Sequence, residues 1–240
     1  MELTNRQNLI LERIIKEYIG SAEPVPSGSL SKAGDFKISP AMIRIEMEKL
    51  TEAGYLFQPF VSSGRVPTDK GYRFFVDKIL KERASGKKRE NKNEKKKKEI
   101  KKKLAEEKND PFALSQKLTK ALSGACSSMV FLSFLEDDLF FKDGWEELVR
   151  EPEFGLRNVL IDFSDFIGEI EAGFDEIKAR ENIDVYIGKE LPFPQAKDFS
   201  LIAKGIILPQ NVKARISLIG PKRMDYDKNI DLIDSLNDLF

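Results

Sequence analysis

Histidine is missing altogether from this 240-residue chain, and cysteine and tryptophan occur once each. Without histidine there is no Ser-His or Cys-His pair to activate a nucleophile and no imidazole to bind a metal, and one cysteine makes no thiolate cluster. Most hydrolase and zinc-site readings fall away. No acid/base pair converges among the scattered carboxylates, so the expectation is a protein that is not an enzyme and uses neither cofactor nor metal. The lone Cys126 lies among small and apolar residues and cannot close an intrachain disulfide, so nothing points to an oxidising compartment. Also lacking are a charged start followed by an apolar stretch and any run of about 18 apolar residues. The expected setting is the cytoplasm, with no membrane partner.

Net charge is absent only in sum. Forty basic residues balance forty acidic ones, but residues 1–80 carry 11 against 10, residues 81–120 carry 16 against 7, and residues 121–240 carry 13 against 23. The three parts hold +1, +9 and −10. That asymmetry suggests a basic arm beside a DNA-binding module and an acidic regulatory half.

The remaining chain can be placed around residues 39–73. Ser39 is a good N-cap and Pro40 suits the first helical position, where its missing N–H has no partner to lose. Ile43, Met47 and Leu50 then recur at i, i+4 and i+7, which stacks them on one face, and Gly54 suits a left-handed cap beyond the last turn. The opposite face carries Ala41, Ile45, Glu48 and Glu52, flanked by Met42, Arg44 and Lys49. Its first two turns are short, apolar or cationic, and a helix N-terminus of this kind favours phosphate while small side chains approach thymine methyls. Taken alone it is an ordinary amphipathic helix over a core. Its continuation changes that: Tyr55–Phe57 reads as a strand, 58–64 as a turn containing Ser63 and Gly64, and Arg65–Val66 as the return. This is a wing, and Arg65 beside its flexible tip can reach a phosphate or a minor groove. Thr68 then caps a helix whose buried stripe is Tyr72, Phe75, Val76 and Ile79, leaving Lys70 and Arg73 outside.

Upstream, Thr4 and Gln7 fit a capping box, with Leu9, Ile10, Ile14, Ile15 and Tyr18 as an apolar face, and a short helix is expected from about Ser27 to Ala33, ending near Gly34 before a turn around Phe36–Ile38. Three helices and a wing make a winged helix-turn-helix over residues 1–80, with the third helix in the major groove. Residues 81–110 form a Lys/Glu-rich tract with almost nothing apolar before Ile100 and Leu104, expected as a solvated helical or disordered linker that also serves as a nonspecific phosphate-binding arm. Residues 111–240 alternate between helix and strand patterns: helices near Leu114–Leu122 and Trp145–Val149, a long one from Leu156 through Phe174 to Ile177, and one from Asp227 to Leu239. Strands are expected over Met129–Leu135, Leu139–Phe141, Val185–Ile187, Leu201–Ile207 and Ala214–Ile219. The fold class is therefore α+β, a sheet flanked by helices following the helical module. GPKRMDY at 220–226 tempts a ligand-site reading through Lys222 and Arg223, but it lacks the spacing of a phosphate-cradling loop and reads better as a turn.

Several of these stretches carry a family resemblance. AEPV at 22–25, SPAMIRIEM at 39–47, GYL at 54–56 and GRVPTDKGYRFFVD at 64–77 resemble the bacterial heat-inducible transcription repressors of the HrcA family, and VYIGKE at 185–190 with IGPKRMDYDKNI at 219–230 resembles that family's C-terminal GAF-like domain. The resemblance implies a non-enzymatic, nucleoid-associated repressor that binds an inverted-repeat operator of chaperone operons as a homodimer, assisted by the chaperonin GroEL. Three departures stand out. A dimer-promoting insertion is missing where Leu135 passes almost directly to Leu139, Ile45 replaces a usual Asn, and Gly28 and Phe60 stand where relatives tend to have Arg and His. On this reading Arg44, Lys49, Arg65, Lys70 and Arg73 hold phosphates, Ala41, Met42 and Ile45 face bases, and Ser39, Ser63 and Gly64 shape the helix start and wing. The alternative is a sensor or interaction module of degenerate DNA specificity whose GAF-like half binds a small molecule or the chaperonin.

Overall fold

The computed structural model describes residues 3–32, 38–86, 93–105, 107, 109–137, 139–172 and 180–238. They fall into two compact units, residues 1–87 and 88–240. The fold is mixed α/β, with a two-stranded sheet in the first unit and a five-stranded sheet in the second.

In the first unit α1 (Asn5–Ser21) starts at a complete capping box, the Thr4 hydroxyl accepting from the Gln7 N–H at 3.3 Å and the Gln7 side chain accepting from the Thr4 N–H at 3.0 Å. Its buried stripe is Ile10, Leu11, Ile14 and Ile15. Leu9, expected inside, is 56% exposed, because the stripe turns through Leu11 instead. After α2 (Ser27–Lys32), α3 (Pro40–Glu52) packs on α1 and α2, followed by β1 (Leu56–Phe57), β2 (Val66–Pro67) and α4 (Asp69–Ala84). Ala33, Gly34 and Phe36 lie outside the described residues.

The tract expected as a linker over 81–110 behaves differently. α4 runs on to Ala84, and α5 (Glu94–Leu104) packs against α6 (Pro111–Cys126) with Ile100 and Leu104 buried. Two apolar residues at i, i+4 suffice here because polar neighbours are also engaged: Asn93 Nδ2 donates to Asp231 at 2.9 Å, Lys97 Nζ lies 3.0 Å from the same carboxylate, and Lys96 Nζ donates to the Ala125 carbonyl at 2.7 Å.

The second unit is a three-layer sandwich around an antiparallel sheet in the order β4 (Phe140–Asp143), β3 (Met129–Phe134), β7 (Val212–Pro221), β6 (Phe199–Leu208), β5 (Asp184–Ile187). α6 and α9 (Tyr226–Asp234) cover one face. The other meets α8 (Arg157–Ala172) through an aromatic cluster in which Phe163 lies 4.9 Å from Phe199 and 5.1 Å from Phe154, ring to ring. Each such pair adds about 1 kcal/mol beyond its area. The short α7 (Trp145–Leu148) precedes this layer. β6 and β7 extend beyond their expected ends because burial on both faces removes the polar alternation that marks a strand. The expected continuation of α8 through Phe174 and Ile177, and Leu239 of the last helix, lie outside the described residues.

Cys126 is buried, and burial pushes its thiol pKa up to about 12 against the pull of Lys228 and Lys96, so it stays protonated at neutral pH and is a poor nucleophile. Among the described residues no helix is long and apolar enough to cross a membrane, and no group of acidic residues and cysteine is arranged to hold a metal ion.

Candidate nucleic-acid interface

α3 is fixed at both ends and along one side. At its start the Ser39 hydroxyl accepts from the Met42 N–H at 3.3 Å, with Pro40 in the first turn. At its end Gly54 takes φ +77°, which costs glycine nothing, so that its N–H reaches the Thr51 carbonyl and the Tyr55 N–H reaches the Leu50 carbonyl, both at 2.9 Å. Ile43, Met47 and Leu50 face the core. Glu46, which pattern reasoning passes over, is also buried: it accepts from Gln7 Nε2 at 3.1 Å and lies within ion-pair reach of Arg6 and Lys49, tying α3 to α1. The available signal was a carboxylate at a stripe position together with Arg6 and Gln7 at the start of α1.

That anchoring leaves the opposite face uncovered. Ala41, Arg44, Glu48 and Lys49 are exposed, as are Met42 at 39% and Ile45 at 47%. Arg44 makes no ion pair or hydrogen bond among the described residues.

The wing is a hairpin in which Leu56 pairs with Pro67 and Phe57 with Val66. A third segment braces it, since Val25 and Arg65 exchange N–H···O bonds of 3.0 and 2.9 Å. The crossing is so close that a Cβ on Gly64 would sit 2.3 Å from the Val25 carbonyl carbon. Ser63 organises the tip, its hydroxyl donating to the Phe60 carbonyl at 2.8 Å and accepting from the Phe60 N–H. Phe60 and Val61 at the tip are 76% and 96% exposed. Arg65 Nε donates to Thr51 Oγ1 at 3.1 Å, which lays its side chain along α3.

The two cations of α4 are differently placed. Lys70 Nζ donates to the Ala53 carbonyl at 2.8 Å and sits 4.4 Å over the Tyr55 ring, so it caps the C-terminal end of α3. Arg73 pairs with Asp77 at 3.4 Å. The structure thus gathers Ser39, Ala41, Met42, Arg44, Ile45, Ser63, Gly64 and Arg65 around α3 and the wing, while Lys49, Lys70 and Arg73 already have partners. In the other unit, Arg223 is enclosed by Glu151 and Glu153 and Lys222 lies 3.6 Å from Asp198, so the GPKRMDY segment is a pinned turn.

A family model described as the HrcA protein C terminal domain matches residues 75–230. The chain belongs to the HrcA family. Relatives named heat-inducible transcription repressor HrcA include one from Alkaliphilus metalliredigens, 55% identical over 80 residues, a match that covers 33% of this chain and 23% of the relative. Another, from Lachnoclostridium phytofermentans, is 26% identical over 334 aligned positions covering 98% of this chain and 96% of the relative. That alignment is longer than the HrcA-family chain itself, so it carries gaps on this chain's side. Several other alignments to relatives of this name likewise span only 23% of the relative's length. A crystal structure described as that of a hypothetical protein at 2.2 Å resolution matches the fold at a TM-score of 0.82, with 18% identity over 99% of this chain and 98% of its own.

Proposed function

We propose that this HrcA-family chain is a transcriptional repressor of heat-shock genes that binds duplex DNA through a winged helix-turn-helix in residues 1–80. The observation that carries the proposal is the uncovered amino-terminal half of α3, where Ala41, Met42 and Ile45 stand exposed beside Arg44 on a helix pinned at both ends. Exposed apolar side chains on a rigid helix are costly unless a partner meets them, and a major groove offers thymine methyls and base edges. Arg44 and Arg65 neutralise phosphates, which supplies salt-sensitive affinity, whereas the residues facing bases supply choice of sequence. Lys70 acts by holding the C-terminal end of α3.

An inverted repeat is matched by a two-fold dimer, so the binding species is a homodimer in the cytoplasm. Residues 111–240 are the GAF-like regulatory part, and their acidic balance suits a contact with the chaperonin GroEL. No catalytic step belongs to this function.

The test is fluorescence anisotropy with an inverted-repeat duplex and a scrambled control. Arg65→Ala weakens both duplexes alike, by about tenfold for one lost charge-assisted phosphate contact, whereas Ile45→Asn changes which sequence is preferred. A chain that binds neither duplex at low salt sinks the proposal, and a monomeric mass for the DNA-bound protein sinks the dimer.

A further inference from the structure

Between the start of α2, the middle of α3 and the base of the wing lies a cleft of ≈ 360 Å³ whose lining includes Ser27, Arg44, Gln58, Ser62 and Arg65. Its volume is at the lower end of the roughly 300–1,000 Å³ usual for ligand sites. Its chemistry is one-sided: two guanidiniums and three hydroxyl side chains border it, and no carboxylate does. Arg44 has no partner among the described residues, and Arg65 spends only its Nε on Thr51, which leaves both terminal amino groups available. The Ser27 and Ser62 hydroxyls likewise make no hydrogen bond among the described residues. Elsewhere in the unit Lys49, Arg73 and Lys78 have carboxylate partners within ion-pair reach, so the vacancy of acids around this pair is local.

Two forked donors held on different elements suit a tetrahedral oxyanion better than a planar carboxylate or an apolar group, because each guanidinium can engage separate oxygens. The geometry is maintained by backbone. Gly64 allows the wing base to close on Val25, and that contact sets Arg65 opposite Arg44 and the first residue of α2. We propose that this cleft is a phosphate seat, with Arg44 and Arg65 as its cations and Ser27 and Ser62 as neutral donors. The inference rests on the DNA-binding reading only for the source of the phosphate, which is either one backbone phosphate of the duplex or a free oligophosphate that competes with it.

Two arms with the full chain separate the sources. In the first, a duplex carrying a neutral methylphosphonate at successive positions is titrated with the wild-type chain and with Arg44→Gln, whose side chain braces nothing in the fold. One position in each half-site should weaken the wild type by about tenfold and leave Arg44→Gln unchanged, and the variant's slope of log K against log salt should be shallower by about 0.9. Ser27→Ala should weaken binding about threefold without altering that slope, because it removes a donor and not a charge. In the second arm, inorganic pyrophosphate is titrated against both proteins by thermal shift. Stabilisation of the wild type that Arg44→Gln abolishes supports the seat even for a chain that binds no duplex, a result that would overturn only the DNA reading. If methylphosphonate losses add to the Arg44→Gln loss at every position and pyrophosphate shifts neither protein, the seat is overturned while DNA binding stands.

Discussion

Arg44 and Arg223 put the same guanidinium into opposite circumstances. Arg44 stands exposed on α3 with no acidic partner among the described residues. Arg223 is 9% exposed and gripped by Glu153 and Glu151. Burial works against its charge, but its hydrogen bond to Glu153 and the charges of Glu153 and Glu151 outweigh that, so its pKa is raised. Lys204 repeats the pattern, its buried ammonium 3.0 Å from Asp234. A charge that serves the fold is surrounded by counter-charges from its own chain, whereas one reserved for an outside partner keeps its donors open. The two units therefore use basic residues for different ends.

The comparison breaks most visibly if the two arginines cost the same to remove. Arg223→Ala strands two carboxylates and should destabilise the second unit by about 3 kcal/mol. Trp145, the only tryptophan and a member of that unit, reports the change by fluorescence in a denaturant titration. Arg44→Ala should stay within about 0.5 kcal/mol by far-ultraviolet circular dichroism, as an exposed side chain with no contacts to lose. The next largest effect belongs to Gly64→Ala. Its Cβ would enter the Val25 carbonyl, so the wing base must shift, at about 2 kcal/mol by the usual cost of overpacking. Duplex affinity should fall with it although no charge is altered, and an unchanged affinity would mean that wing position is unimportant.

The parts of this design that local rules govern were legible in the sequence. The Thr4–Gln7 box, the Ser39–Pro40 start, the Ile43–Met47–Leu50 stripe and the Gly54 cap each depend on residues within a few positions of one another. What escaped depends on distant partners. Glu46 reads as one more surface acid until Gln7, 39 residues earlier, is brought to it. Val25 pairs with Arg65 through a single bridge that leaves no pattern. α5 reads as a solvated arm because its supports, Asp231 and the Ala125 carbonyl, lie far along the chain. Lys70 and Arg73 were correctly placed outside their helix's buried stripe, but exposure on a helix does not disclose the Ala53 carbonyl and Asp77 that engage them.

Cys126 sharpens the contrast from the side of the folding charges. Its unfolded thiol titrates near the model value of 9.0 and its buried one at about 12, so the folded state keeps a proton that the unfolded state gives up. This contribution is fully present below pH 9.0 and is lost as pH rises toward 12. Between pH 10 and 11 it should lower stability by about 1.4 kcal/mol per pH unit. Cys126→Ala should remove that slope in urea titrations repeated across this range while adding a pH-independent packing loss. A slope that survives the substitution would assign the alkaline loss to other groups.

The smallest effect tests the functional end of α3 by separating its cap from its charge. Ser39→Ala removes the acceptor for the Met42 N–H and should cost about 1 kcal/mol, whereas Ser39→Gly should cost only a few tenths. Ser39→Asp keeps an acceptor there and suits the positive end of the helix dipole, so stability should hold. On the exposed face that is proposed to meet phosphate, however, the added carboxylate repels the duplex and should weaken binding by about tenfold, more at low salt than at high. Stability kept and affinity lost in one substitution would mark this helix start as a surface kept for a partner; equal duplex affinity for Ser39→Asp and the wild type would return α3 to the role of a core-covering helix.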